Sequence, residues 1–160
     1  MITLQFVRAP GLGSSLISAY ERGWPSHVDA VLPDGRLLGA RSDVLAGVPA
    51  GVQIRPADYE QVSETRRIIL TADAQTQLKF WAFLQSKIGA PYDTQAIFAF
   101  PFNQDWGSPD SFICSGLQAA ALAASGWFPR PLPLPHDMVT PWELLLCLTP
   151  WDRAPANSGS

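Results

Sequence analysis

The chain carries two cysteines, Cys114 and Cys147, and two histidines, His27 and His136. A thiol nucleophile served by an imidazole base therefore has four pairings to choose from. Cys147 lies within Leu144-Leu145-Leu146-Cys147-Leu148, an apolar run in which a free cysteine is expected to be a small core hydrophobe. Cys114 stands near the first turn of an expected helix, where unpaired N–H groups and the helix dipole favour a thiolate. The thiolate is the attacking form, so position 114 suits a nucleophile; a buried helix-start cysteine without chemistry is the competing reading. His136 follows a proline-rich stretch and is expected to be solvated. His27 opens an expected strand, a rigid place to hold a ring near a helix N-terminus. Asp29, two residues on, shares a strand face with His27. It either orients the ring or stands as a solvated carboxylate, and spacing alone favours the solvated reading.

These residues need elements to bring them together. The segment His27–Leu32 alternates as a strand, Pro33-Asp34-Gly35 is a turn, and Arg36–Ala40 returns, predicting a hairpin. Gly51–Arg55 and Arg67–Leu70 are further strands. Thr71–Ile88 reads as a helix because Leu78, Trp81, Leu84 and Ile88 recur at spacings of three and four, with Gly89 ending it. Ser111–Ser125 reads as a second helix, capped by Asp110 or Ser111, rich in alanine and closed by Gly126. A third opens at Thr140-Pro141-Trp142-Glu143, where a Thr N-cap, an N1 proline and a glutamate at N3 make a capping box. A short helix is expected over Ser15–Arg22. Pro129-Arg130-Pro131-Leu132-Pro133-Leu134-Pro135 should be an extended crossing, since proline offers no backbone donor. Strands first and helices later predict an α+β domain over residues 1–150, with 151–160 a flexible tail.

At 160 residues the chain is the size of one domain, and 47% hydrophobic against 16% charged residues excludes wholesale disorder. Eleven Lys and Arg against fourteen Asp and Glu give a net charge of -3, which argues against nucleic acid as a partner and offers no polybasic membrane anchor. No apolar run approaches the roughly 20 residues needed to cross a bilayer. The N-terminus lacks the pattern of a signal peptide, so a cytoplasmic protein is expected, with delivery to the envelope by another machine left open. The cysteines and histidines have no metal-ligand spacing, and neither a metal nor a cofactor is expected. Oligomeric state is not legible.

Phe112-Ile113-Cys114-Ser115-Gly116-Leu117 resembles the Cys-Ser-Gly-Leu nucleophile segment of the NlpC-type cell-wall peptidases, a papain-like family. The hairpin from Ser26 to Gly35 resembles that family's His-Val-Gly hairpin, which carries the base, and Gly89-Ala90-Pro91-Tyr92-Asp93 resembles its Gly-x-Pro-Tyr segment. His27 precedes Cys114 by 87 residues. That order resembles the circularly permuted branch, the YiiX-like amidases, with lecithin–retinol acyltransferase a distant relative. Val139-Thr140-Pro141-Trp142-Glu143-Leu144-Leu145 resembles the Thr-Pro-x-x-Leu helix near the end of YiiX-like chains.

The resemblance implies a permuted papain-like fold, an antiparallel sheet packed on the helix that carries Cys114. It implies that Cys114 attacks an amide or ester carbonyl, that His27 handles the proton, and that Tyr92 donates to the oxyanion or the substrate. An aromatic ring packed beside Pro91 is the plainer reading of Tyr92. One departure stands out. The family's third polar residue falls at Gly39, which has no side chain, so orientation of His27 must come from Asp29, Arg41, Gln53 or a main-chain carbonyl, unless the site works as a dyad or has lost turnover. The implied substrate is a peptide amide of cell-wall material. The alternatives are an acyl-amide lipid or ester, for which Phe98, Phe100, Phe102 and Trp106 would line a groove, and a non-catalytic binding or assembly module on the same fold.

Overall fold

A computed structural model describes residues 1–8, 23–44, 47, 49–59, 62–94 and 111–153. The fold is α+β. Five strands, β1 (Ile2–Arg8), β2 (His27–Val31), β3 (Leu37–Arg41), β4 (Gly51–Arg55) and β5 (Glu64–Leu70), form one sheet in the order β4-β3-β2-β1-β5, with every pair antiparallel. Three α-helices follow: α1 (Ala74–Ser86), α2 (Cys114–Ser125) and α3 (Pro141–Leu148). Among the described residues no helix is long and apolar enough to cross a membrane.

The sheet is built on period-two alternation. Leu4 and Phe6 of β1 pair with Ala30 and Val28 of β2, and Leu4 pairs with Ile68 of β5 on its other side. Ala30 in turn pairs with Leu38, and Ala40 with Val52. These apolar positions join Phe80, Leu84, Leu117, Leu122, Leu144 and Leu148 in one buried cluster. β1 is not among the strands expected from sequence, yet it sits between β2 and β5; the alternation of Ile2, Leu4 and Phe6 is its signal. The β2–β3 turn forms as expected. Gly35 adopts φ +85°, its N–H donates to Leu32 O, and Arg36 N–H donates to Asp34 Oδ1.

The helices begin and end for local reasons. Asp73 caps α1 by accepting from Thr76 N–H at 2.7 Å. Its buried face is Phe80 and Leu84. Leu78 is 65% exposed and Ile88 is also exposed, so the stripe expected through them is rotated from the true one. Gly126 closes α2 in the left-handed region, at φ +75°. At α3 the capping box is complete: Glu143 N–H donates to Thr140 Oγ1, and Thr140 N–H donates to Glu143 Oε2. Leu144, Leu145 and Leu148 of α3 turn inward. Cys147 falls to one side of that face and is exposed, which corrects its expected place in the core.

Residues 129–135 contain neither helix nor strand. After α3 the chain stays attached to the sheet: Arg153 N–H donates to Ile69 O, and Asp152 Oδ1 accepts from Ile69 N–H. It is therefore held through Arg153, past the Pro150 boundary read from sequence. The helix expected over Ser15–Arg22 lies outside the described residues.

Candidate active site

The helix that begins at Cys114 is placed by a relay of backbone bonds that starts at the sheet edge. Val52 N–H of β4 donates to Ala90 O, and Gly89 N–H donates back to Val52 O. Gly51 makes this crossing close: it adopts φ +140°, and a Cβ there would lie 2.4 Å from Ala90 O. From Ala90 the chain runs into Tyr92, which bridges to Phe112; Phe112 N–H donates to Pro91 O and Asp93 N–H to Phe112 O. Ser111 Oγ donates to Asp93 Oδ2 at 2.6 Å. Ser111 is thus used to tie two segments together, and α2 starts three residues later than expected, with Ile113 as an N-cap that makes no side-chain cap bond. Asp110, the other expected cap, lies outside the described residues.

Cys114 is consequently the first residue of α2 and 1% exposed. The first intrahelical donor is Leu117 N–H, which reaches Ile113 O. Helix geometry leaves the N–H groups of Cys114, Ser115 and Gly116 without carbonyl partners in their own helix, and the helix dipole makes that end attractive to negative charge. Gly116 lets the 3-10 turn at His136–Met138 close over α2, since a Cβ would lie 2.9 Å from His136 O. His136 itself is exposed and stacks on Phe112. Farther along, Gln118 Nε2 donates to Leu38 O at 3.0 Å and ties α2 to β3.

His27 opens β2, and its ring lies near enough to Cys114 for the two to interact electrostatically. On its far side, Nε2 lies 3.0 Å from Asp29 Oδ1. With Nε2 committed there, Nδ1 is the nitrogen left for the thiol. Asp29 is 1% exposed, so the solvated reading of this carboxylate is corrected: it is a buried partner of the imidazole. Burial works against charge on His27, but the Asp29 carboxylate and then Cys114 outweigh it, and the ring's pKa is pushed up to about 9. Burial likewise opposes the Asp29 charge, but His27 and Arg55 together hold the carboxyl down at about 2.

Gly39 explains how Asp29 fits. The β2–β3 register pairs Ala30 with Leu38, and continuing it sets Asp29 across from Gly39. A Cβ at position 39 would lie 1.9 Å from Asp29 Oδ1. Of the alternative orienting groups, Gln53 Nε2 donates to Pro49 O, and Arg41 donates to Asp43 and Tyr59. Neither of these bonds goes to His27.

Two further groups complete the surroundings. Tyr92 stands near enough to Cys114 that, after burial, the charge at Cys114 is the chief cause raising its phenol well above the ordinary range. The phenol therefore stays protonated and able to donate. Arg55 of β4 is buried, and its Nη2 donates to Asp29 Oδ1 while lying 2.9 Å from His27 Nε2. No sequence signal marked Arg55 beyond its place in a strand; pairing of Leu37 with Arg55 across β3–β4 is what brings it here. Phe98, Phe100, Phe102 and Trp106 lie outside the described residues.

The chain matches no family model and no curated protein sequence.

Proposed function

We propose that the protein is a cysteine hydrolase that cleaves an amide bond through an acyl-thioester on Cys114. The observation that carries this reading is a single imidazole, His27, set between the Cys114 thiol and the buried Asp29 carboxylate. Nucleophile, base and orienting acid in that sequence is the arrangement thiol acyl transfer requires.

In the proposed reaction His27 takes the thiol proton at Nδ1 and the resulting thiolate attacks the carbonyl carbon. The tetrahedral oxyanion is received at the start of α2, where backbone N–H groups are free of intrahelical bonds, with the Tyr92 hydroxyl as a second donor. Collapse breaks the C–N bond, and Nδ1–H protonates the leaving amine. A water then gives a proton to Nδ1 and attacks the thioester, and the thiol is regenerated as the acid departs. Asp29 holds Nε2–H throughout, so Nδ1 always faces the sulfur, as N–H while the ring is charged and as a lone pair once that proton has been given up.

The permuted papain-like fold and a peptide of the peptidoglycan type as substrate are part of the proposal, and both rest on the resemblance of the Cys114, His27 and Tyr92 segments. The reading is tested by iodoacetamide alkylation of Cys114 near neutral pH in a Cys147→Ser background. Alkylation should be faster than that of free cysteine and should slow about tenfold or more in His27→Ala. An unchanged rate in His27→Ala overturns the pairing. Purified sacculi and acyl-amide lipids, offered side by side, then decide the substrate by which of them releases new amino groups.

A further inference from the structure

We propose that Arg55 is a positioning residue for His27, acting through Asp29. It does so across a gap that only glycine at position 39 leaves open.

Three observations meet here. The Arg55 side chain is 1% exposed, and its guanidinium spans three strands: Nη1 donates to Gly39 O at 3.3 Å on β3, and Nη2 donates to Asp29 Oδ1 on β2. The plane of the same group lies over the Tyr59 ring, 4.7 Å from its centroid, and Arg41 lies over that ring as well, at 4.6 Å. Arg55 Nε is buried and has no hydrogen-bond partner.

A buried ion pair contributes little net stability compared with well-packed apolar side chains, and an unpartnered Nε makes this one costlier still. Packing alone would be served by a residue such as methionine. What the guanidinium adds is control of one oxygen. Asp29 Oδ1 is shared by Arg55 Nη2–H and His27 Nε2, so the carboxylate can neither rotate away from the ring nor take up a proton cheaply. The arrangement makes Nε2 the protonated nitrogen and leaves Nδ1 for Cys114. The charged or titratable groups around Asp29 are His27 on its own strand, Arg55 from β4 and Tyr59 beyond it. Arg41, which pairs with Asp43, also lies against Tyr59, and Cys114 interacts with both the imidazole and Tyr92.

The catalytic meaning of this inference rests on the thiol–imidazole reading above, but its test does not need turnover. In the Cys147→Ser background, the ring nitrogens of His27 are followed by NMR from pH 5 to pH 10 in the parent, Arg55→Met, Arg55→Lys and Asp29→Asn. The parent should lose its ring proton near pH 9 and keep Nε2–H. In Arg55→Met Nε2 should lose its place as the sole protonated nitrogen, while the midpoint should not fall, because the variant removes a guanidinium that lies 2.9 Å from Nε2 and opposes charge on the ring. Arg55→Lys keeps the charge without the fork and should fall in between. Asp29→Asn should match Arg55→Met in tautomer but lower the midpoint, since it removes the carboxylate that holds the ring's pKa up, and adding Arg55→Met to Asp29→Asn should change the tautomer no further.

A parent-like tautomer in folded Arg55→Met overturns the proposal. If Arg55→Met does not fold, Arg55→Lys decides in its place, and parent-like behaviour there overturns it equally. Alkylation of Cys114 in His27→Ala remains the separate test of the hydrolase reading, so failure of one is distinguishable from failure of the other.

Discussion

Gly39 and Asp29 face each other across β2 and β3, and the carboxylate occupies the space into which any side chain at position 39 would project. A Cβ there would sit 1.9 Å from Asp29 Oδ1, far inside contact distance. The position at which the family resemblance leads one to expect a polar orienting residue is empty because its neighbour fills it from the adjacent strand. Gly39→Ala should therefore destabilise the fold by about 1–3 kcal/mol, the usual cost of overpacking, and slow Cys114 alkylation as Asp29 is pushed off His27. Gly39→Ala combined with Asp29→Ala removes the clash and should recover stability relative to Gly39→Ala alone, but not alkylation rate. Urea unfolding and iodoacetamide kinetics on the four proteins of this cycle measure both effects; strictly additive stabilities would show that the two positions do not collide.

The buried charges confine maximal stability to a pH window. His27 rises from 6.5 to about 9 on folding, so the native state holds a proton that the unfolded chain releases between those values. Its contribution is complete below pH 6.5 and is lost as pH climbs through 9. Asp29 drops from 3.8 to about 2, so its contribution is complete above pH 3.8 and is lost as pH falls through 2. Urea midpoints should be highest from about pH 4 to 6.5 and decline on both sides. In Asp29→Asn both declines should shrink, because His27 also loses the carboxylate that holds its pKa up.

In the proposed reaction Tyr92 donates to the oxyanion, and burial and the charge at Cys114 keep its phenol protonated. Tyr92→Phe keeps the ring and removes only the donor. Once a substrate is identified, this variant should lower kcat by about 100-fold or more with an unchanged thermal midpoint, the usual cost of one oxyanion donor. A loss confined to KM would instead assign the hydroxyl to ground-state binding.

The relay from the sheet to Cys114 depends on Gly51. Gly51→Ala forces a side chain into φ +140° and against Ala90 O, so it should lower the thermal midpoint and, because the strain is passed through Pro91 and Phe112, also slow alkylation of Cys114. Thr140→Ala provides the contrast. It removes one half of the α3 capping box and should cost about 1 kcal/mol by urea unfolding, with alkylation kinetics unchanged.

Much of the architecture was legible in local signals. Pro33-Asp34-Gly35 marks its turn, Gly51–Arg55 matches its strand at both ends, Gly126 closes α2, and Thr140 to Glu143 announces the start of α3. Such features are decided within a few residues, by proline and glycine geometry and by side chains that cap their own backbone. The errors share a different cause. Leu84 fits two helical stripes, one through Leu78 and Ile88 and one through Phe80, and only packing against the rest of the fold selects Phe80 and Leu84 as the side that turns in. Cys147 looked like core by its neighbours, but at 100° per residue it lies about 100° round the helix from the centre of the face that Leu144, Leu145 and Leu148 make.

The site divides along the same line. Residue type and position singled out Cys114 and His27 and offered Asp29 as a companion, because thiol and imidazole chemistry restricts which side chains can serve; Tyr92 came only from the resemblance of its segment. What Asp29 does was undecided until the strands paired: a carboxylate two residues from a histidine is equally at home in water, and burial opposite a glycine makes it a partner of the ring. Arg55 carried no local signal at all, since its role depends on cross-strand register that places it beside a residue 26 positions earlier in the chain. Local composition therefore determined the elements and the reactive groups, whereas the pairing of distant strands decided their charges, their orientation and the company they keep.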